Sequence, residues 1–145
     1  MITGIYDALN GAFITASVYF PAPVDEFLLI SFLVDTGATQ SCVGITDLLR
    51  LTPEGQKNMP TQRSQIEMRG IGGSIIPSTT LAGIGFTHDD GQTTMFALSL
   101  SLIDETEAAG LPALLGRDIL FRGDLIFDPA AGRVVFDLPV GSFWL

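Results

Sequence analysis

Short apolar runs broken by Pro, Gly and Asp-Gly give this chain the pattern of a β protein rather than a helical one. AFITASVYF (12–20) alternates loosely and predicts a half-buried strand, stopped by Pro21-Ala22-Pro23. EFLLISFLV (26–34) is a continuous β-rich run, the pattern of a strand covered on both faces. TDLLRL predicts one helical turn with Thr46 as its N-cap, and TPEGQKNMPTQ (52–62), polar and carrying Pro and Gly, predicts a surface loop. RSQIEMRGIGGSII (63–76) predicts a hairpin with a glycine-rich tip, and residues 80–102 a second hairpin turned at HDDGQ. DETEAAG is short and acidic and predicts a solvated, helix-compatible face. PALLGRDIL (112–120) predicts an apolar strand that breaks at Gly116 and enters a short helix, and DLIFDPAAGRVVFDL (124–138) a hairpin around PAAG. No internal repeat, linker or low-complexity segment interrupts the series. The expectation is one all-β domain over residues 1–145 with one or two short helices.

Composition narrows the functions open to such a domain. At 145 residues and 47% hydrophobic, the chain has enough apolar material for one core. Its formal net charge of −9 excludes a nucleic-acid ligand, because phosphate contacts need a basic face. The longest apolar run, Phe27 to Val34, is too short to span a bilayer, so no membrane is expected as a partner. The first basic residue is Arg50, which leaves no positive n-region for a signal peptide. Cys42 is the only cysteine, so no intrachain disulfide can form, and a cytoplasmic location is expected. A packing role for Cys42 outweighs a nucleophilic one, because the only histidine, His88, sits in the turn-like THDDGQT. His88-Asp89-Asp90 would offer adjacent rather than face-sharing ligands, so no metal and no cofactor are expected.

The candidate chemistry lies in FLVDTGATQSCV (32–43), where a buried-looking strand ends on a carboxylate. Asp-Thr-Gly alone is a common turn, since Asp accepts backbone N–H bonds and Gly tolerates positive φ. Three features raise its weight. FLV before it and Ala-Thr after it place Asp35 where a rigid strand emerges, which positions a carboxylate better than a free loop does. LLGRDIL (114–120) repeats the arrangement of two apolar residues, a glycine and a helical start. RGIGGS (69–74) puts three glycines around one isoleucine at a hairpin tip, where bare backbone can approach an extended ligand.

FLVDTGAT, the Gly-Ile-Gly-Gly tip and ALLGRDIL, in this order, resemble the retropepsins, the retroviral-type aspartic peptidases. The closing LIFDPAAGRVVFDL is similar to the hairpin that follows Gly-Arg-Asp in cellular and bacterial members, so the resemblance runs from about residue 12 to 138. It implies a closed β-barrel in which Asp35 is the catalytic aspartate. Thr36 would lock two active-site loops together, Gly37 would contact substrate backbone, and Ala38 and Thr39 would line the adjacent subsite. Gly70, Ile71, Gly72 and Gly73 would form a flap over the substrate, and Gly116, Arg117 and Asp118 would brace the active-site loop. Many retroviral enzymes carry an acid where this chain has Thr39, so Arg117 must find another partner, Asp118 or an acid elsewhere. The chain is also longer than a viral protease around 52–62 and 87–112.

Peptide hydrolysis of the aspartic type needs two carboxylates sharing a proton across one water, and Asp-Thr-Gly occurs once. The resemblance therefore implies a homodimeric aspartic endopeptidase cutting extended polypeptides, with the second aspartate from an identical subunit. The alternative is a catalytically inactive retropepsin-fold module for dimerisation or peptide binding; an unrelated barrel with chance motifs is a third. MITGIY and PVGSFWL are apolar for chain ends, so one is expected in an intersubunit sheet burying Phe143 and Trp144, the alternative being packing on its own domain.

Overall fold

The computed structural model describes every residue except 64–66, 71–72 and 104–109, with backbone only at 68–70 and 73–75. Among the described residues thirteen strands run in chain order as β1 (Ile2–Asp7), β2 (Gly11–Phe20), β3 (Glu26–Val34), β4 (Cys42–Gly44), β5 (Gln62–Arg63), β6 (Met68–Gly70), β7 (Gly73–Ile75), β8 (Ser78–Thr87), β9 (Thr93–Ile103), β10 (Leu114–Leu115), β11 (Asp124–Asp128), β12 (Arg133–Asp137) and β13 (Gly141–Trp144). Among the described residues lie three short α-helices, α1 (Ile45–Leu48), α2 (Pro53–Asn58) and α3 (Arg117–Leu120), and a 3-10 turn at Pro129–Ala131.

Six strands close a barrel in the order β2, β3, β10, β4, β9, β8 and back to β2. β1 extends the sheet from β2 to the β12–β11 hairpin, and β6 and β7 form a separate two-stranded ribbon. The hairpins expected at 80–102 and 124–138 form, β1–β2 and β2–β3 pair as further ones, and the last turns on Gly132, whose φ of 65° suits a residue without a Cβ. Period-2 alternation fills the interior with Ile14, Val18 and Phe20 of β2, Ile30 and Phe32 of β3, Ile84 and Phe86 of β8, and Phe96 and Leu100 of β9. Phe86 meets Phe96 and Phe136 edge-on at 6.1 and 6.2 Å. Each such side chain contributes about 1.5–3 kcal/mol by leaving water.

Four expectations change. β3 is not covered on both faces: Leu28, Ile30 and Phe32 point inward, while Phe27 and Leu29 are 73% and 60% exposed. Among the described residues no second layer covers Phe27 and Leu29, so a continuous apolar run ends up half in solvent. The segment read as a loop at 52–62 contains α2, because Thr52 accepts from Gly55 N–H and Pro53 starts the first turn. The Glu26 carboxylate reinforces that cap by accepting from Thr52 N–H and Oγ1–H at 2.9 and 2.6 Å. Thr46 lies inside α1, whose N-cap is Gly44 with no side-chain bond. His88 is buried, not a solvated turn residue. The acidic segment 104–109 falls outside the described residues.

Both chain ends join their own sheet. β1 lies between β12 and β2, and β13 runs parallel to β9 with Phe143 beside Phe96 at a ring separation of 5.6 Å. Trp144 stays 81% exposed.

Candidate active site

Asp35 is positioned by a parallel seam. β10 pairs with the end of β3, so Leu33 N–H donates to Ala113 C=O at 2.8 Å and Asp35 N–H to Leu115 C=O at 3.0 Å. The chain then turns: Ala38 N–H donates to Asp35 C=O at 3.2 Å, and Gly37 N–H to Asp35 Oδ1 at 2.9 Å. The bond from Gly37 N–H fixes the direction of the carboxylate. Asp35 is half-buried, Thr36, Gly37 and Thr39 are exposed, and Ala38 is buried. The acid thus stands at the open end of a barrel strand, with the Thr-Gly step bare to whatever approaches.

Gly116, Arg117 and Asp118 brace this turn, each by a different bond. A Cβ at Gly116 would lie 2.7 Å from Gln40 O and 3.0 Å from Ala38 O, so the two loops approach at a distance only glycine permits. Arg117 N–H donates to Ala38 C=O at 2.9 Å, and its guanidinium donates to Thr36 C=O at 3.2 Å. That backbone carbonyl is the partner Arg117 finds with Thr39 in place of an acid. Asp118 accepts from Ser41 Oγ–H and Ile119 N–H through Oδ1, at 2.7 and 2.9 Å, and from Ser41 N–H through Oδ2 at 2.9 Å.

Ser41 is the residue that sequence reasoning missed, together with its neighbours Gln40 and Ser101, which bond to each other at 2.9 Å. The signal available was a polar pair, Gln40-Ser41, directly preceding an apolar strand and six positions past the aspartate. Of the glycine-rich tip, Gly70 and Gly73 are the paired ends of the β6–β7 ribbon, while Ile71 and Gly72 lie outside the described residues. Cys42 is 1% exposed, and burial pushes its thiol up to about 11, the Asp118 and Asp35 charges adding to the rise against a backbone hydrogen bond at Leu114. A thiol in that state packs and does not attack. Among the described residues no cluster of His, Cys, Asp and Glu is arranged to hold a metal. A groove of about 460 Å³ lies past α3, lined by Phe121, Arg122, Asp124 and Asp137, and includes none of the residues around Asp35.

A β-barrel that presents one Asp-Thr-Gly carboxylate at the end of a strand, tied to a Gly-Arg-Asp turn, is a site of the aspartic-protease type. The family model for retroviral aspartyl proteases matches residues 14–125, most of the chain, which therefore belongs to that family. No curated protein matches it.

Proposed function

We propose that the protein is an aspartic endopeptidase whose active site is completed by a second copy of the chain. The observation that carries this reading is the doubly fixed Asp35: its N–H is held by Leu115 C=O and its Oδ1 by Gly37 N–H, at 3.0 and 2.9 Å, while its turn stays exposed. The chain contains one Asp-Thr-Gly, so the second carboxylate comes from the same turn across a twofold axis. Two carboxylates brought face to face across that axis would share one proton, because like charges in contact disfavour ionisation of both. The ionised member takes a proton from a bound water as it attacks the scissile carbonyl carbon, and the protonated member donates to the carbonyl oxygen. Collapse of the tetrahedral intermediate sends a proton to the leaving amine and regenerates the dyad.

An extended peptide would lie along the exposed Thr36-Gly37 step, with Ala38 and Thr39 beside it and the tip at Gly70–Gly73 over it. The nucleophile is water, and no cofactor takes part. The single buried thiol suits a reducing compartment, and we place the protein in the cytoplasm.

The test is digestion of a denatured protein mixture between pH 4 and 7, read by mass spectrometry, with wild type beside Asp35→Asn. Cleavage by wild type, reduced at least a hundredfold in the variant, is expected. Equal cleavage by both removes Asp35 from the mechanism. No cleavage by a folded dimer favours a peptide-binding module instead.

A further inference from the structure

Resting on that reading, we infer that Ser41 is a positioning residue for the Asp35 carboxylate, acting through a single peptide plane. Ser41 is fully buried, and all its polar atoms are engaged. Its Oγ accepts from Gly116 N–H at 3.0 Å and donates to Asp118 Oδ1 at 2.7 Å, its N–H donates to Asp118 Oδ2 at 2.9 Å, and its C=O accepts from Ser101 N–H at 3.4 Å. The direction of the hydroxyl is forced. An amide N–H can only donate, so Oγ is the acceptor toward Gly116, and its one proton goes to the Asp118 carboxylate.

Gly116 N–H belongs to the same rigid peptide unit as Leu115 C=O. That carbonyl holds Asp35 N–H at 3.0 Å on the other side of the plane. One planar group therefore hangs between the serine hydroxyl and the aspartate backbone, and its tilt is set by both. Asp118, fixed in turn by Ile119 N–H, supplies the charged end of the chain of bonds. Gly116 itself sits tightly in this arrangement, since a Cβ there would lie 2.7 Å from the Gln40 carbonyl oxygen. Ser41→Ala would leave a buried N–H without an acceptor, and that peptide unit would turn to find another. Asp35 would turn with it.

A quenched peptide taken from a wild-type cut site serves as the assay for wild type, Ser41→Ala, Ser41→Thr and Ser41→Cys, each first shown to be folded by circular dichroism at the assay temperature. The expected result is a kcat about tenfold or more below wild type in Ser41→Ala with KM changed less than about twofold, and recovery of most of kcat in Ser41→Thr, which keeps the hydroxyl. If the alanine variant does not fold, Ser41→Cys carries the comparison: the sulfur fills the space but bonds weakly, and kcat should fall at constant KM. A folded alanine or cysteine variant with wild-type kcat overturns the inference while leaving the peptidase reading intact. A wild type that cleaves nothing overturns both.

Discussion

Cys42 and His88 show how much a single side chain's environment decides. The thiol was readable as packing, since no partner base stood near it in sequence, and burial raising it to about 11 agrees. A raised thiol favours the folded state while it stays protonated: that contribution is complete below the ordinary value of 9.0 and fades as pH rises toward about 11. Native protein at pH 7.5 is therefore expected to resist iodoacetamide, with full labelling after unfolding in urea; rapid native labelling would contradict the buried geometry. His88 was misread, because Asp-Asp-Gly beside it signals a solvent turn while the imidazole itself folds inward. Thr94 spends its hydroxyl proton on Pro139 C=O at 2.8 Å, so His88 Nε2 carries the hydrogen of its 2.7 Å contact with Thr94, and Nδ1 accepts from Met1 N at 2.9 Å. Such a partner set depends on residues 87 positions away, beyond the reach of local pattern. His88→Ala should cost about 1–3 kcal/mol by stranding buried polar atoms, measured as a lower urea midpoint at unchanged slope.

The elements were easier to read than their surroundings. Hairpins announce themselves through alternation and turn chemistry, and the 80–102 and 124–138 pairs are where Asp-Gly and Pro-Ala-Ala-Gly put them. The exposure of Phe27 and Leu29 was not readable, because an apolar run does not say whether a second layer covers it. α2 was hidden in a polar stretch whose cap, Thr52, gains the Glu26 carboxylate only through the tertiary fold. The Asp-Thr-Gly and Gly-Arg-Asp turns were legible as motifs, but the bonds between them were not, since Thr36 C=O offers Arg117 a partner that no side-chain inventory contains. β13 carries a prediction at this scale. It covers the edge of β9 from Thr94 to Ala97, so removing residues 141–145 bares four ladder positions and the Phe96 ring. The truncated protein should melt several degrees lower and scatter light on heating. An unchanged melting curve would mean the strand is ornamental to the fold.

At the scale of the whole molecule, the proposed twofold makes activity a property of pairs. Wild type mixed with excess Asp35→Asn should lose activity faster than simple dilution explains, because most wild-type chains then sit in dimers with one carboxylate. A monomeric enzyme would keep its activity in the same mixture, which a titration at fixed wild-type concentration resolves. The proposal of a second copy comes from the single Asp-Thr-Gly in the sequence, and the sequence does not indicate the surface such a copy would use. The seam that holds Asp35 has a further consequence, in the order of synthesis. The aspartate and its turn leave the ribosome early, yet Ala113, Leu115, Gly116 and Asp118, which fix them, come some 77 positions later, as the Ser41–Asp118 bonds record. Contacts of such separation form late in folding. A nascent chain therefore carries Asp35 on an unanchored loop until residues 113–118 have emerged, and a chain that stops short of residue 113 lacks the carbonyls and the carboxylate that hold that loop in place.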